Sequence, residues 1–181
     1  MKLWTRSLLA AAAGAALIGS AGCSPDSDAG DGSSGPTGTS SSEKVLAEVK
    51  PCEVLSSKAL ESFGLEAPGK PKSTLPWAPG CHYDGNPVAL RLELNKRENV
   101  AAAEKKSTWA KFERVKVNGR SGARAIPQGA TQARVCDVMF NAGKGMIQVR
   151  ASEPRLPDDV DECQKALEIA KKVEPNVPEP A

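Results

Sequence analysis

Aromatic side chains, histidine and net charge are all scarce in this sequence, and each scarcity excludes something. Aromatic residues are 4% of the 181 positions. A core must therefore be built from Val, Leu, Ile, Ala and Met, with Phe63, Trp77, Tyr83, Trp109, Phe112 and Phe140 as its few large pieces. Histidine occurs once, at position 82. Nucleophilic hydrolysis needs a base held by an orienting acid, and a lone histidine beside Cys81 and a turn reads instead as a surface or hydrogen-bonded residue. The cysteines are dispersed with no C-x-x-C pair, so no metal site is expected. Gly143-Lys144-Gly145 lacks the spacing of a phosphate-binding loop, and no cofactor is expected. Asp158 and Asp159 are accounted for as helix caps. The chain is expected not to be an enzyme.

The formal charge of +2 comes from Lys2 and Arg6, because the first 22 residues contain no Asp or Glu. The remainder is neutral, which argues against nucleic acid or another polyanion as partner. One stretch departs from that balance. From 105 to 124, seven basic residues (Lys105, Lys106, Lys111, Arg114, Lys116, Arg120, Arg124) accompany a single acid, Glu113. Gathered on one face, Lys111, Arg114, Lys116 and Arg120 would meet an anionic lipid or wall polymer, an attraction that fades over about 8 Å at physiological salt. The plainer reading is a solvated strand face.

No long apolar run occurs outside the first 22 residues, and that leader is too short and too rich in Ala and Gly for a comfortable membrane span. It has the parts of a secretory signal: Lys2 and Arg6, an apolar run from Leu8 to about Ile18, then small residues. Leu17-Ile18-Gly19-Ser20-Ala21-Gly22-Cys23 resembles a bacterial lipobox, with Ser20 where Leu is usual. The resemblance implies cleavage before Cys23 and a diacylglyceryl thioether on its sulfur. Acyl chains at about 0.8 kcal/mol per buried methylene would hold the protein on the extracytoplasmic face of the cell membrane. Residues 23–44 are Ser, Gly, Asp, Thr and Pro with little apolar content, and read as a flexible tether spanning roughly 25 Å.

The folding part is expected from Val45 to about 174. Ser56 should cap a short helix that ends at Gly64. Residues 65–80, with Pro68, Pro71, Pro76 and Pro79, read as an irregular loop carrying Trp77, which is expected to plug the core rather than touch a ligand. Val88, Leu90, Leu92 and Leu94 alternate with Ala89, Arg91, Glu93 and Asn95, the pattern of a strand with one face in the core and one in water. Asn99 to about Trp109 reads as a helix. Phe112–Val117 and Ala123–Ile126 form a hairpin across Asn118-Gly119, and Val135–Phe140 with Met146–Ala151 form another. Asp158 or Asp159 should cap a last amphipathic helix with Val160, Cys163, Leu167, Ala170 and Val173 inward, and residues 175–181 are expected to be disordered. The result is an α+β domain: an antiparallel sheet of about five strands, two to three helices packed on it, and two disulfides.

With Cys23 assigned to lipid, Cys52, Cys81, Cys136 and Cys163 remain, and an exported chain with four cysteines implies two disulfides in one of three pairings. Cys52 with Cys81 and Cys136 with Cys163 is favoured, since each pair ties a helix to a strand.

The assembled pattern resembles the actinobacterial lipoproteins classed as domain of unknown function 3558. The motifs are Pro51-Cys52-Glu53-Val54-Leu55-Ser56, Phe63-Gly64-Leu65, Gly80-Cys81-His82-Tyr83, Val117-Asn118-Gly119, Val135-Cys136-Asp137-Val138 and Asp161-Glu162-Cys163. The likeness spans about residues 49–173. It implies fold and location and carries no site. The expected role is a monomeric, non-enzymatic surface lipoprotein that binds an envelope protein or a small ligand. The alternatives are an envelope enzyme without a sequence signature and a wall- or membrane-associated protein using residues 105–124.

Overall fold

The computed structural model describes residues 45–130, 134–154 and 160–181. Cys23, the leader and the tether lie outside them. The described strands are β1 (Lys70–Pro71), β2 (Gly80–Tyr83), β3 (Ala89–Asn95), β4 (Trp109–Val117), β5 (Arg120–Pro127), β6 (Val135–Ala142) and β7 (Gly145–Ser152). They form one antiparallel sheet in the order β1-β2-β3-β7-β6-β5-β4. The expected sheet is present with seven strands rather than five. The two extra strands are short, and β1, two residues of which the second is Pro71, is too brief to show a period of two.

Turn chemistry sets the registers. Asn118 and Gly119 both have positive φ (48° and 96°), the conformation that lets a two-residue turn follow the twist of β4 and β5. Gly143, at φ 52°, turns β6 into β7.

Strand alternation then divides the sheet into two faces. On one face Cys81, Tyr83, Leu90, Leu92, Leu94, Val138, Phe140, Ile147 and Val149 are buried in one core cluster with helix α3 (Glu162–Val173), which packs on β6 and β7 and whose Ala166, Ile169, Ala170 and Val173 are fully covered. Helix α1 (Ser57–Ser62) and the 3-10 turns Leu46–Glu48 and Pro51–Glu53 complete that layer. Ser56 caps α1 by accepting from the Ala59 N–H at 3.2 Å, and Gly64, at φ 71°, closes it. Both disulfides stand on this face. Cys52 joins Cys81 and Cys136 joins Cys163, the favoured pairing, tying the N-terminal turns to β2 and α3 to β6.

Helix α2 (Val100–Glu104) covers part of the opposite face, placing Val100 and Ala103 on Ala123, Ala125, Met139 and Met146, with Trp109 and Phe112 packed alongside. It is shorter than expected. The Trp109 ring N–H donates to the Ala103 carbonyl at 2.8 Å, so the chain turns back on the helix and Trp109 opens β4.

Two expectations at the C-terminal end are corrected. The cap of α3 is Asp161, which accepts from the Gln164 N–H at 2.9 Å; Asp158 and Asp159 lie outside the described residues. The segment after α3 is docked rather than disordered. A 3-10 turn, Glu174–Asn176, leads to buried Val177. The Gly143 N–H then donates to Glu179 O and the Ala181 N–H to Gly143 O, both at 2.9 Å.

Candidate functional site

The face that carries α2 is not uniform. Its β5–β6 half is apolar and covered. Its β2–β3–β7 half carries polar residues that the register lines up in two rows. One row runs Lys70, His82, Arg91, Arg150, Asp137 across β1, β2, β3, β7 and β6. The next runs Gly80, Glu93, Gln148, Met139. Arg91 and Arg150 thus stand directly opposite each other on paired strands, an unfavourable placement for like charges unless each has a counter-ion.

Asp137 supplies the first. It is 0% exposed and accepts three hydrogen bonds, each at 2.9 Å: from Nε and Nη2 of Arg150 and from Nε2 of Gln148. A buried carboxylate requires such partners, since an unpaired buried charge costs several kcal/mol. Burial works against the Arg150 charge, but its hydrogen bonds to Asp137 and the charges of Asp137 and Glu93 more than offset it. The guanidinium is held above its ordinary pKa. Glu93 supplies the second counter-ion, taking Arg91 Nη2, which also donates to Thr74 Oγ1. Thr74 Oγ1 in turn donates to Glu93 at 3.3 Å.

Thr74 and Leu75 come from the loop between β1 and β2, which closes the site on one side. That loop is fastened by hydrogen bonds from Lys72 N–H to Gly80 O and Ala78 N–H to Leu75 O, both 2.9 Å. Trp77 lies in it, half-buried beneath the Arg97 guanidinium at 4.1 Å. The residue expected to plug the core belongs to neither core cluster and steadies this loop instead.

Between loop and sheet lies an open pocket of 230 Å³ lined by Thr74, Leu75, Arg91, Glu93, Gln148 and Arg150. It is smaller than the range for drug-sized ligands, which suits a small one. A larger opening of 400 Å³ lies among Val45, Lys50, Glu53 and Asn176, but its side chains are mostly exposed, and Lys50 and Glu53 already pair at 3.2 Å.

At the outer end of the first row, His82 Nε2 lies 3.1 Å and Lys70 Nζ 2.6 Å from the Asp84 carboxylate. Hydrogen bonds from Lys70 and then His82 hold the Asp84 carboxyl below its usual range. His82 is engaged as a hydrogen-bonding partner in a surface cluster.

The basic residues singled out by sequence are placed elsewhere. Strand alternation puts Lys111 on one face of edge strand β4 and Arg114 and Lys116 on the other. Lys111 pairs with Glu113 at 2.8 Å, Arg114 with Glu104, and Lys116 reaches Ser121 Oγ at 3.4 Å. Arg120 is corrected outright. It is buried on the α3 face, donating to Pro178 O at 2.5 Å and Glu179 Oε1 at 2.9 Å and pairing with Glu174. It cannot meet an anionic surface, because its guanidinium is consumed in clamping the C-terminal segment.

The pocket residues were missed by sequence reasoning. Their signal was present as charges at outward positions of separate strands and as Asp137 inside the apolar run Val135–Phe140. Only the register joins them.

The family model described as protein of unknown function (DUF3558) matches residues 18–176. The chain belongs to this family. The match takes in every pocket residue and all four bridged cysteines. No curated protein and no solved structure matches the chain.

Proposed function

We propose that the protein is a non-enzymatic binding module of the cell envelope, lipid-anchored through Cys23, that holds a small polar ligand on the open half of its sheet. One observation carries this reading. A fully buried carboxylate, Asp137, is used to organise Arg150 and Gln148 at the floor of a pocket that no described helix covers. Buried ion pairs are weak devices for stability, and apolar residues of similar volume commonly serve as well or better. The other half of the same face does use apolar residues, under α2. A polar floor left open to solvent is therefore better explained by what it presents than by what it stabilises.

The chemistry available is recognition. Guanidinium donors, a carboxylate, an amide, the Thr74 hydroxyl and one apolar wall, Leu75, converge there, and the Thr74 hydroxyl is held between Arg91 and Glu93 as part of the polar network. Two disulfides fit an oxidising compartment, in keeping with export directed by the leader. Native mass spectrometry of the full chain, extracted from its own membranes without denaturation, tests the reading. A co-purified small molecule should be bound to the wild-type protein and lost from Arg91→Gln. A mass equal to the bare lipidated chain, or a ligand retained by Arg91→Gln, would overturn it.

A further inference from the structure

Resting on that binding reading, the geometry points to a ligand class: a small zwitterion, with its oxyanion seated between the guanidiniums of Arg91 and Arg150 and its cationic group against Glu93 and Gln148.

The donors come first. Asp137 takes Nε and Nη2 of Arg150 and leaves Nη1 without a protein acceptor among the described residues. Arg91 commits only Nη2, to Glu93 and Thr74. None of these remaining nitrogens is a buried, unsatisfied atom, and both arginines line the pocket. Two guanidiniums on directly paired residues, each presenting unused N–H groups, match the geometry in which arginine holds a carboxylate or phosphate.

The acceptors lie one step along the strands. Asp137 offers only acceptor oxygens, so the Gln148 amide must turn its NH₂ group down to it and keep its carbonyl oxygen for the pocket. Glu93 meets Arg91 and Thr74 through Oε2 and keeps Oε1. Glu93 and Gln148 are themselves a directly paired couple two residues from the arginine couple, a spacing of roughly 7 Å along a strand. That leaves room for a carboxylate and an ammonium on one or two carbons with a hydrogen bond at either end.

Charge selects between ligands that satisfy the geometry. Arg91 and Arg150 are balanced by Glu93 and Asp137, so the pocket has no net charge with which to hold a simple anion. A simple cation would face the two guanidiniums. A molecule carrying both signs in the right order is attracted at both ends.

The test is a titration of the full disulfide-bonded chain, at constant ionic strength, with glycine, acetate and methylammonium as probes. Arginine Nε–H and backbone amide resonances provide the readout. Glycine should shift the Nε–H signals of Arg91 and Arg150 and the Leu75 amide saturably, with acetate at least fivefold weaker and methylammonium without effect. Arg91→Gln should abolish the response. Glu93→Gln, checked for an unchanged fold by its dispersed amide spectrum, should reverse the preference so that acetate binds at least as well as glycine. Equal responses to glycine and acetate in the wild-type protein, or a glycine preference that survives Glu93→Gln, would overturn the assignment. If a co-purified ligand is lost from Arg91→Gln while glycine and acetate remain equal, the ligand class falls and the binding reading stands. If neither test gives a signal, both fall.

Discussion

Asp137 and Arg150 illustrate how two members of one ion pair differ in consequence. The aspartate is 0% exposed, while the arginine side chain keeps 34% of its surface in water. Removing the arginine strands a carboxylate with nowhere to go, whereas removing the aspartate leaves a guanidinium that can lean outward. Arg150→Met should therefore lower stability by about 3–5 kcal/mol, in the range for breaking a buried pair, and Asp137→Asn by less. The double replacement Asp137→Leu with Arg150→Met should recover most of the loss and still bind no ligand. Urea unfolding with the disulfides intact measures all three, and equal costs for the single variants would refute the asymmetry. Asp84 offers a check at the outer end of the same row. Its carboxyl is held low by hydrogen bonds from Lys70 and His82, so any stability it contributes is present above the ordinary carboxylate pKa and lost as pH falls through the lowered folded value. Lys70→Met should move the Asp84 titration, followed by its carboxyl carbon resonance, upward toward the ordinary range. An unchanged midpoint would mean that the pairing does not persist in solution.

At the scale of elements, α3 and the segment behind it work as a unit. The apolar spacing of the helix is readable in sequence, and the buried stripe is Ala166, Ile169, Ala170 and Val173, with Leu167 half covered. The expected inward positions hold, with Ala170 and Val173 buried, Val160 and Leu167 packed against the core and Cys163 bridged to Cys136 on β6, and Ala166 and Ile169 join them. After the helix, three prolines suggest an end to order, yet Arg120 donates to the carbonyls of Glu174, Val177 and Pro178. A proline-rich segment that cannot bond internally still offers carbonyls, and a buried guanidinium is a suitable donor for several at once. Arg120→Ala should detach this segment and cost about 3 kcal/mol, as for a broken buried pair. The local readout is hydrogen exchange: the Gly143 and Ala181 amides, which bond across the bridge, should exchange at least tenfold faster while the Leu92 and Val149 amides keep their protection. Uniform loss across the sheet would mean that the clamp is part of the global fold rather than a local fastening.

For the whole molecule, both disulfides attach an outer layer to the same face of the sheet, one at the N-terminal turns and one at α3. They close loops of 29 and 27 residues in sequence separation, worth roughly 3–4 kcal/mol each by loop entropy. Replacing Cys136 and Cys163 together by Ala should lower the urea midpoint accordingly and release α3 before the β3–β7–β6 centre of the sheet. The other face, with its pocket, carries no bridge. The proposed anchor predicts a separate effect: Cys23→Ser should move the protein from the membrane to the soluble fraction with both disulfides unchanged on non-reducing peptide mapping. Retention on the membrane would remove the anchor from the account.

Composition and local pattern were sufficient for the α+β class, the two Asn-Gly and glycine hairpins, the Ser56 cap and the presence of two disulfides, because each depends on near neighbours or on simple counting; counting left three cysteine pairings, of which the fold makes the favoured one. Period-two alternation also showed that Arg91 and Glu93 share a face of their strand. What it could not show is which strand lies beside which. Bringing Arg91 opposite Arg150, Glu93 opposite Gln148 and Asp137 beneath them requires β7 to insert between β3 and β6, a placement fixed by which faces bury together rather than by any stretch of sequence. The same is true of Arg120, which belongs to the most basic stretch of the chain and ends in its interior. Local sequence sets whether a side chain points in or out along its own strand, and tertiary packing alone decides what it points at.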